Sequence, residues 1–541
     1  MKKRLLAAVL TGTMVIGMIT GCSTPGSKDS GESSEKVFRY SSSTEPTTLD
    51  SSKCNSIPDN EIQHAITESL VRNTGGDVQP GLAEDWEISP DGLTYTFHLR
   101  DGIKWSDGEP ITANDFVYSW QRLLDPETAS VYAFIGEHIK NGALVETGEL
   151  PKEELGVSAP DDQTFVVELE NPTAYFLSMI GAQAQFAPLR QDIVEKYGAE
   201  FAADAEKNVY SGPYVLTDSS NRTYIFEPNE NYWNRDAIKL DRVELSTVEN
   251  TDTALSMYED GDLDYVEIPS AYVSQYEGQD QTFMNGNVDY LYINCAADYV
   301  SNQNFRLALN YGINRNDYMK LAVDDVYVPY ASLVFSGLKT PNATYGEDYD
   351  VDVYPLDGDM DKAKDYLNKA MEEMGIASPS DITIEFTTTD AEANKVIAEV
   401  VQDQWTKNLG INVEIRQVTY SEIYGNVYPE GDFQVGYAGW GADYDDAYSY
   451  LEIWKSDNTM YKLNYKNDEF DSLLAASKTE TDEQARMDML NKAEMILLEE
   501  GAFVPLQTRS VHYLLNDKVK NLTFFHCSIN RDWVYADIET E

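Results

Sequence analysis

Leu93, Tyr95, Phe97 and Leu99 are apolar at every second position, with Thr94, Thr96 and His98 between them. A period of two predicts a strand with one buried face. Asp-Gly pairs at 91–92, 101–102 and 107–108 mark turns around it. Elsewhere the period lengthens to that of a helix. Ile62, Ala65, Ile66, Ser69 and Leu70 share one side of a helix predicted over 60–71. Val396, Ile397, Val400, Val401 and Trp405 do the same over 391–409, where Gly410 supplies a stop. Thr112, with Asp115 three residues on, is a helix start, and 360–374 is a helix ending at Gly375. Short alternating runs at 37–41 and 411–418 are strands. A helix followed by a strand at this spacing predicts an α/β fold. No repeat of solenoid length is present.

The N-terminus follows another pattern. Met1-Lys2-Lys3-Arg4 is basic, and the apolar run from 5 to 20 is about 16 residues, short for a membrane span. It ends in Ile19-Thr20-Gly21-Cys22, which resembles a bacterial lipobox. The resemblance implies a leader over 1–21, cleaved before a lipidated Cys22. Residues 22–36 are rich in Ser, Gly and charge and predict a flexible tether. No later apolar run approaches 18 residues, so the membrane is reached only through this anchor.

At 541 residues, two or three domains or lobes are expected. The formal charge of −53, from 93 acidic against 40 basic residues, argues against nucleic acid and against an anionic membrane surface. Removing Cys22 leaves Cys54, Cys295 and Cys527, widely spaced and without a CxxC. A zinc site is disfavoured, while one disulfide plus a thiol, or three thiols, both remain open.

No HExxH, GxSxG, P-loop or GxGxxG is present, and the SxxK at 33–36 lies in the tether. The five histidines, His64, His98, His138, His512 and His526, form no pair at helical spacing, so each is a structural residue by default. Two acidic stretches fail the calcium-loop rule. Residues 357–368 have Lys362 where Gly is required and Asn368 where Glu is required, and Asp359 or Asp361 there is better placed as a helix cap. Residues 443–454 have Tyr448 and Trp454 at those positions. Neither metal nor cofactor is expected. The second stretch lies in "WGADYDDAYSY" (440–450), which carries Asp443, Asp445 and Asp446 among aromatics.

Several segments together resemble the oligopeptide- and dipeptide-binding subunits of bacterial ABC importers, over nearly the whole mature chain. They are "GLAEDWEISPDGLTYTFHLRDGIKWSDGEPITANDFVYSWQRLLDPETAS" (81–130), "SGPYVL" (211–216), "NENYWN" (229–234), "FRLALNYGINR" (305–315) and "GWGADYDDAYSYL" (439–451). The resemblance implies a two-lobed periplasmic-binding-protein-like fold (class II, cluster C), with an additional domain inserted in the first lobe and the ligand enclosed between the lobes. Lobe I would comprise 37–67, 191–290 and 511–541, the insert 68–190 and lobe II 291–510. It implies a binder of small peptides rather than an enzyme, monomeric and lipid-anchored at the extracytoplasmic face of a Gram-positive cell, serving a membrane permease and its ATPase. Asp443 would take the peptide's α-ammonium. Gly439 and Gly441 on one side, and Asn55, Ser56 and Ile57 on the other, would grip its backbone. Trp440 would pack behind the clamp and Tyr132 would face the ligand. Asp445 and Asp446 are expected to be loop or cap residues. Tyr437 departs from the pattern, since the family's best-known oligopeptide binder has Arg there, and this leaves the far end of a peptide without a cation. The same fold could take an oligosaccharide, nickel or haem, or serve as a peptide-pheromone receptor. A secreted hydrolase using Asp443 and Asp446 is a further alternative. The absence of a His cluster disfavours nickel.

Overall fold

The structure is a computed structural model that describes residues 35–73, 77–351, 353–458 and 460–540. The leader, Cys22 and the tether as far as residue 34 lie outside the described residues.

One mixed sheet of 11 strands runs through the molecule, in the order 412–418, 383–389, 435–440, 281–293, 503–515, 265–268, 37–42, 242–247, 223–228 and 214–218, with 328–329 paired beside 503–515. The parallel pairs, 412–418 with 383–389 at one end and 37–42 with 242–247 at the other, are the α/β parts anticipated from the periodicity. Two 13-residue antiparallel strands, Gln281–Ile293 and Phe503–Leu515, belong to both halves. Their register breaks between Met284 and Val288. Gly286 sits in this break at φ +72, where a Cβ would lie 2.1 Å from the His526 carbonyl oxygen, so only glycine fits both the backbone and the space.

A separate four-stranded antiparallel sheet is built from Ala83–Ile88, Thr94–Leu99, Thr164–Glu168 and Val157–Asp161. The alternating residues Tyr95, Phe97 and Leu99 are its buried face. One core joins this sheet to residues 288–506, and a second gathers residues from 38–66, 189–265 and 513–536.

Helix ends follow their local chemistry. Thr112 and Asp115 form a reciprocal capping box at Ala113–Leu124. Asp359 caps Met360–Met374 by accepting from the Lys362 amide at 3.0 Å, and Gly375 and Gly410 close their helices in the left-handed conformation. The helix expected over 60–71 is instead Ile57–Ile66, and Val71–Asn73 is a strand. Pro58 is tolerated within the first turn, and the Ser56 hydroxyl accepts from the Asp59 amide at 3.3 Å. Leu70 and Val71 continue the apolar pattern because they enter the other core, so periodicity alone overran the true end. Cys54, Cys295 and Cys527 are free thiols. Among the described residues no helix is long and apolar enough to cross a membrane, and no group of three or more His, Cys, Asp or Glu is arranged to hold a metal.

Candidate functional site

A cavity of about 160 Å³ lies where six segments converge. Asn55, Ser56 and Ile57 at the start of helix Ile57–Ile66 form one wall. Tyr132 and Gln183 form a second, residues 526–530 a third, and Gly441, Ala442 and Asp443 the fourth. The segments are tied to one another by directional bonds. Gln185 donates to the Cys54 carbonyl at 2.8 Å, the Ser528 hydroxyl donates to the Ala182 carbonyl at 2.8 Å, and the Gln183 amide donates to the Asp443 carbonyl. Arg531 fixes the helix from beneath. It pairs with Glu61 at 3.0 Å and Glu267 at 2.9 Å, with its guanidinium stacked between the rings of Tyr40 and Tyr265.

The three carboxylates of the 440–450 stretch have three different fates. Asp446 is buried and bidentate to Arg486, at 2.6 and 2.8 Å, and accepts from the Tyr448 amide. Asp445 accepts from His526 Nε2 at 2.6 Å. Both therefore serve the architecture. Asp443 faces the cavity and forms no ion pair among the described residues. Its one side-chain bond there is from the Tyr132 hydroxyl at 3.5 Å, while its amide donates to Ser449. Burial pushes its carboxyl up to about 6, against which the Tyr132 hydrogen bond pulls only partly. Nearby Glu452 is pushed up to about 7, by burial first and then by the charge of Asp443. Among the described residues no Lys or Arg lines this pocket, and His526 in its wall is paired with Asp445. Behind it Tyr175 stacks on Tyr444, with ring centroids 4.6 Å apart.

The predicted residues divide by position. Asn55, Ser56, Ile57, Tyr132, Gly441 and Asp443 line the cavity. Gly439, Trp440 and Tyr437 do not; they lie further along strand Val435–Trp440. Tyr437 is buried beside Asp289 and is a core residue rather than a cavity wall. The Ser56 hydroxyl is committed to its helix cap. The indole N–H of Trp440 is buried without a partner among the described residues. The space beside each of the two glycines is filled from the neighbouring strand. A Cβ at Gly439 would sit 2.3 Å from Asp289 Oδ1, and one at Gly441 would sit 2.7 Å from Asn287 Oδ1, so the missing side chains admit the neighbouring strand.

Those glycines nevertheless border an open strand edge. Val435–Trp440 pairs with Gln281–Ile293 over its whole length, but on its other side Thr383–Thr389 covers only Val435 and Gly436. The Tyr437 carbonyl points to that outer side, where the Tyr428 hydroxyl donates to it at 2.7 Å. By the alternation of an antiparallel strand, Gly439 presents its N–H and C=O groups to the same side, and Gly441 follows just past the strand's end. Asn60, Gln183, Asn285, Asn287 and residues 527–530 also line the cavity. Sequence patterns do not flag them, because they arrive from segments hundreds of residues apart and carry no motif.

A sheet whose two halves share a pair of long strands, with a polar, cation-free cavity between segments from both, defines a solute-binding protein that holds its ligand between its parts. The chain belongs to the bacterial extracellular solute-binding proteins of family 5, whose model matches residues 77–462. It is 31% identical to the oligopeptide-binding protein OppA of Bacillus subtilis, over 96% of this chain and 97% of that one. It is 30% identical to the dipeptide-binding protein DppE of the same organism, over 92% and 91%. Among solved structures it superposes on Listeria monocytogenes OppA bound to peptide with a TM-score of 0.73 and 29% identity, covering 94% of this chain and all of that one.

Proposed function

We propose that this protein captures peptides in the cleft at Asp443 and hands them to a membrane permease for import. The observation that carries the reading is the state of Asp443: a half-buried carboxylate, facing a cavity, raised by desolvation and without an ion pair among the described residues. A free α-ammonium supplies the missing charge, and a charge-assisted bond there contributes roughly 1.5–3 kcal/mol. The open edge at Gly439 and Gly441 pairs with the peptide backbone as an added strand, which accepts any side-chain sequence. Asn55, Ser56 and Ile57 form the facing wall and Tyr132 closes over the ammonium. The names of the peptide-binding relatives agree with this ligand class.

In this reading lobe I comprises 37–67, 191–290 and 511–541, the insert 68–190 and lobe II 291–510. The core built from 38–66, 189–265 and 513–536 supports the make-up of lobe I, while the insert's sheet shares its core with residues 288–506. Ligand contacts made from both lobes exist only when the cleft is shut, so the ligand shifts the population to the closed form, which docks on the permease. The ATPase subunit supplies the energy. A lipid on Cys22 holds the monomer at the outer face of a Gram-positive cell membrane. The protein returns its ligand unchanged and is not an enzyme.

Isothermal titration of a tripeptide and its N-acetylated form tests the reading. The free amine should bind at least tenfold more tightly. Equal binding of the two would exclude Asp443 as the ammonium receptor.

A further inference from the structure

A second cavity, of about 390 Å³, adjoins the one at Asp443. It lies at the carboxyl ends of three neighbouring strands. Strand 37–42 runs parallel to both 242–247 and 265–268, and Ser42, Val248 and Ile268, at or just past their ends, line the cavity. The carboxyl edge of parallel strands is where an open α/β sheet leaves a crevice for a ligand. Val326 and Tyr327, from between helix Arg315–Ala322 and strand Val328–Pro329, contribute to the wall from the other lobe. Ile57 and Asn530 line both cavities. A peptide that leaves Asp443 along the wall of Asn55, Ser56 and Ile57 therefore reaches the second one.

The charged groups of its wall are Arg531, Glu61, Glu267 and His512. His512 is engaged at both ring nitrogens, Nδ1 with Asp280 at 2.7 Å and Nε2 with the Val326 carbonyl at 3.1 Å. Arg531 is one cation shared by two carboxylates. Its Nη2 donates to Glu61 Oε2 at 3.0 Å and its Nη1 to Glu267 Oε1 at 2.9 Å. The Glu61 and Arg531 side chains are buried, whereas that of Glu267 is 41% exposed. Glu267 Oε1 also accepts from the Tyr265 hydroxyl at 3.4 Å, while its Oε2 accepts nothing among the described residues. Glu61 Oε1 is buried without a partner there. With both carboxylates ionised, the trio carries one negative charge more than its guanidinium offsets. Burial pushes the Glu61 carboxyl up against the pull of Arg531, and the charge of Glu267 adds to the push. A second cation beside Glu267 Oε2 removes that conflict. The remaining wall combines hydroxyls, as at Ser43, Ser270 and Tyr327, with apolar surface, as at Pro58 and Val326. That mixture suits an aliphatic stem that ends in a charged donor group.

We propose that this cavity receives a lysine or arginine side chain of the bound peptide, and that Glu267 selects for it. The inference rests on the peptide reading above and adds a side-chain preference to it. Arg531 is then a positioning residue, which holds one oxygen of Glu267 and leaves the other for the ligand. Backbone pairing at the open edge takes any sequence, so a preference for basic residues originates at Glu267.

Titration calorimetry at pH 7.5 tests it with penta-alanine, with penta-alanines carrying one lysine at the second, third or fourth position, and with their glutamine counterparts. In the wild type at least one lysine peptide should bind about tenfold more tightly than its glutamine counterpart. Glu267→Gln keeps the shape and removes the charge, and it should bind lysine and glutamine peptides alike. Melting curves establish that the variant is folded. If it is not, Glu267→Asp serves instead, withdrawing the charge by one methylene, and should narrow the preference. Equal wild-type affinity for lysine and glutamine peptides at every position overturns the assignment. So does a lysine preference that survives these variants, because it then comes from the acidic surface at large. Either result leaves peptide capture standing, since penta-alanine still binds. Failure of the wild type to bind any of these peptides overturns both.

Discussion

Asp443→Asn should make the ligand-free protein more stable while disabling it. A carboxyl that holds its proton up to about pH 6, against an ordinary 3.8, is a group the fold would rather keep neutral. Its folded value lies above its unfolded one. The native state therefore binds more protons between pH 3.8 and about 6, and stability falls as pH rises through that window. Above it the full cost applies, about 3 kcal/mol. An amide of the same shape does not carry this cost. For a chain of this length the unfolding entropy is on the order of 1 kcal/mol per degree, so the variant should melt about 3 °C above wild type at pH 7.5. The difference should vanish near pH 4, where both side chains are neutral. Differential scanning fluorimetry across pH 4–8 reads it directly. Calorimetry with a free-amine tripeptide should show the opposite sign, a loss of roughly 10- to 150-fold in affinity. A variant that melts at or below wild type at every pH would refute the argument that Asp443 is a desolvated charge awaiting a cation.

The same proton competes with the ligand, so wild-type affinity for a free-amine peptide should fall about tenfold between pH 7 and pH 5, measured by calorimetry in matched buffers. Gly439→Ala drives a methyl against Asp289, which Arg509 and Gln507 hold in place, and should cost about 1–3 kcal/mol in denaturant unfolding. Gly441→Ala meets only the amide tip of Asn287 and should cost less. Arg486→Ala strands the buried Asp446 carboxylate and should destabilise by about 3–5 kcal/mol in urea, the size of a broken buried pair.

Much of the local structure was legible because its causes are local. Thr112 with Asp115, Asp359 before Lys362, and the glycines at 375 and 410 state their helix ends in two or three residues. The helix at 57–66 was misjudged because apolar spacing at Leu70 and Val71 serves a different core, which no window of sequence reveals. Within the 440–450 stretch, spacing rejected a calcium loop, yet only three dimensions separate Asp443 from its neighbours. Asp446 finds Arg486 40 residues on and Asp445 finds His526 81 residues on, leaving Asp443 alone without a cation. Gly439 lies outside the cavity lining, and the Asp289 carboxylate that fills the space beside it comes from a strand 150 residues away in sequence.

The cleft should hold a peptide by its free amino terminus. Native mass spectrometry of the protein purified from its own host, followed by denaturation and sequencing of what is released, addresses it most directly. Peptides with free amino termini are the expected release. Release of a glycan, a metal complex or a lipid in their place would contradict it.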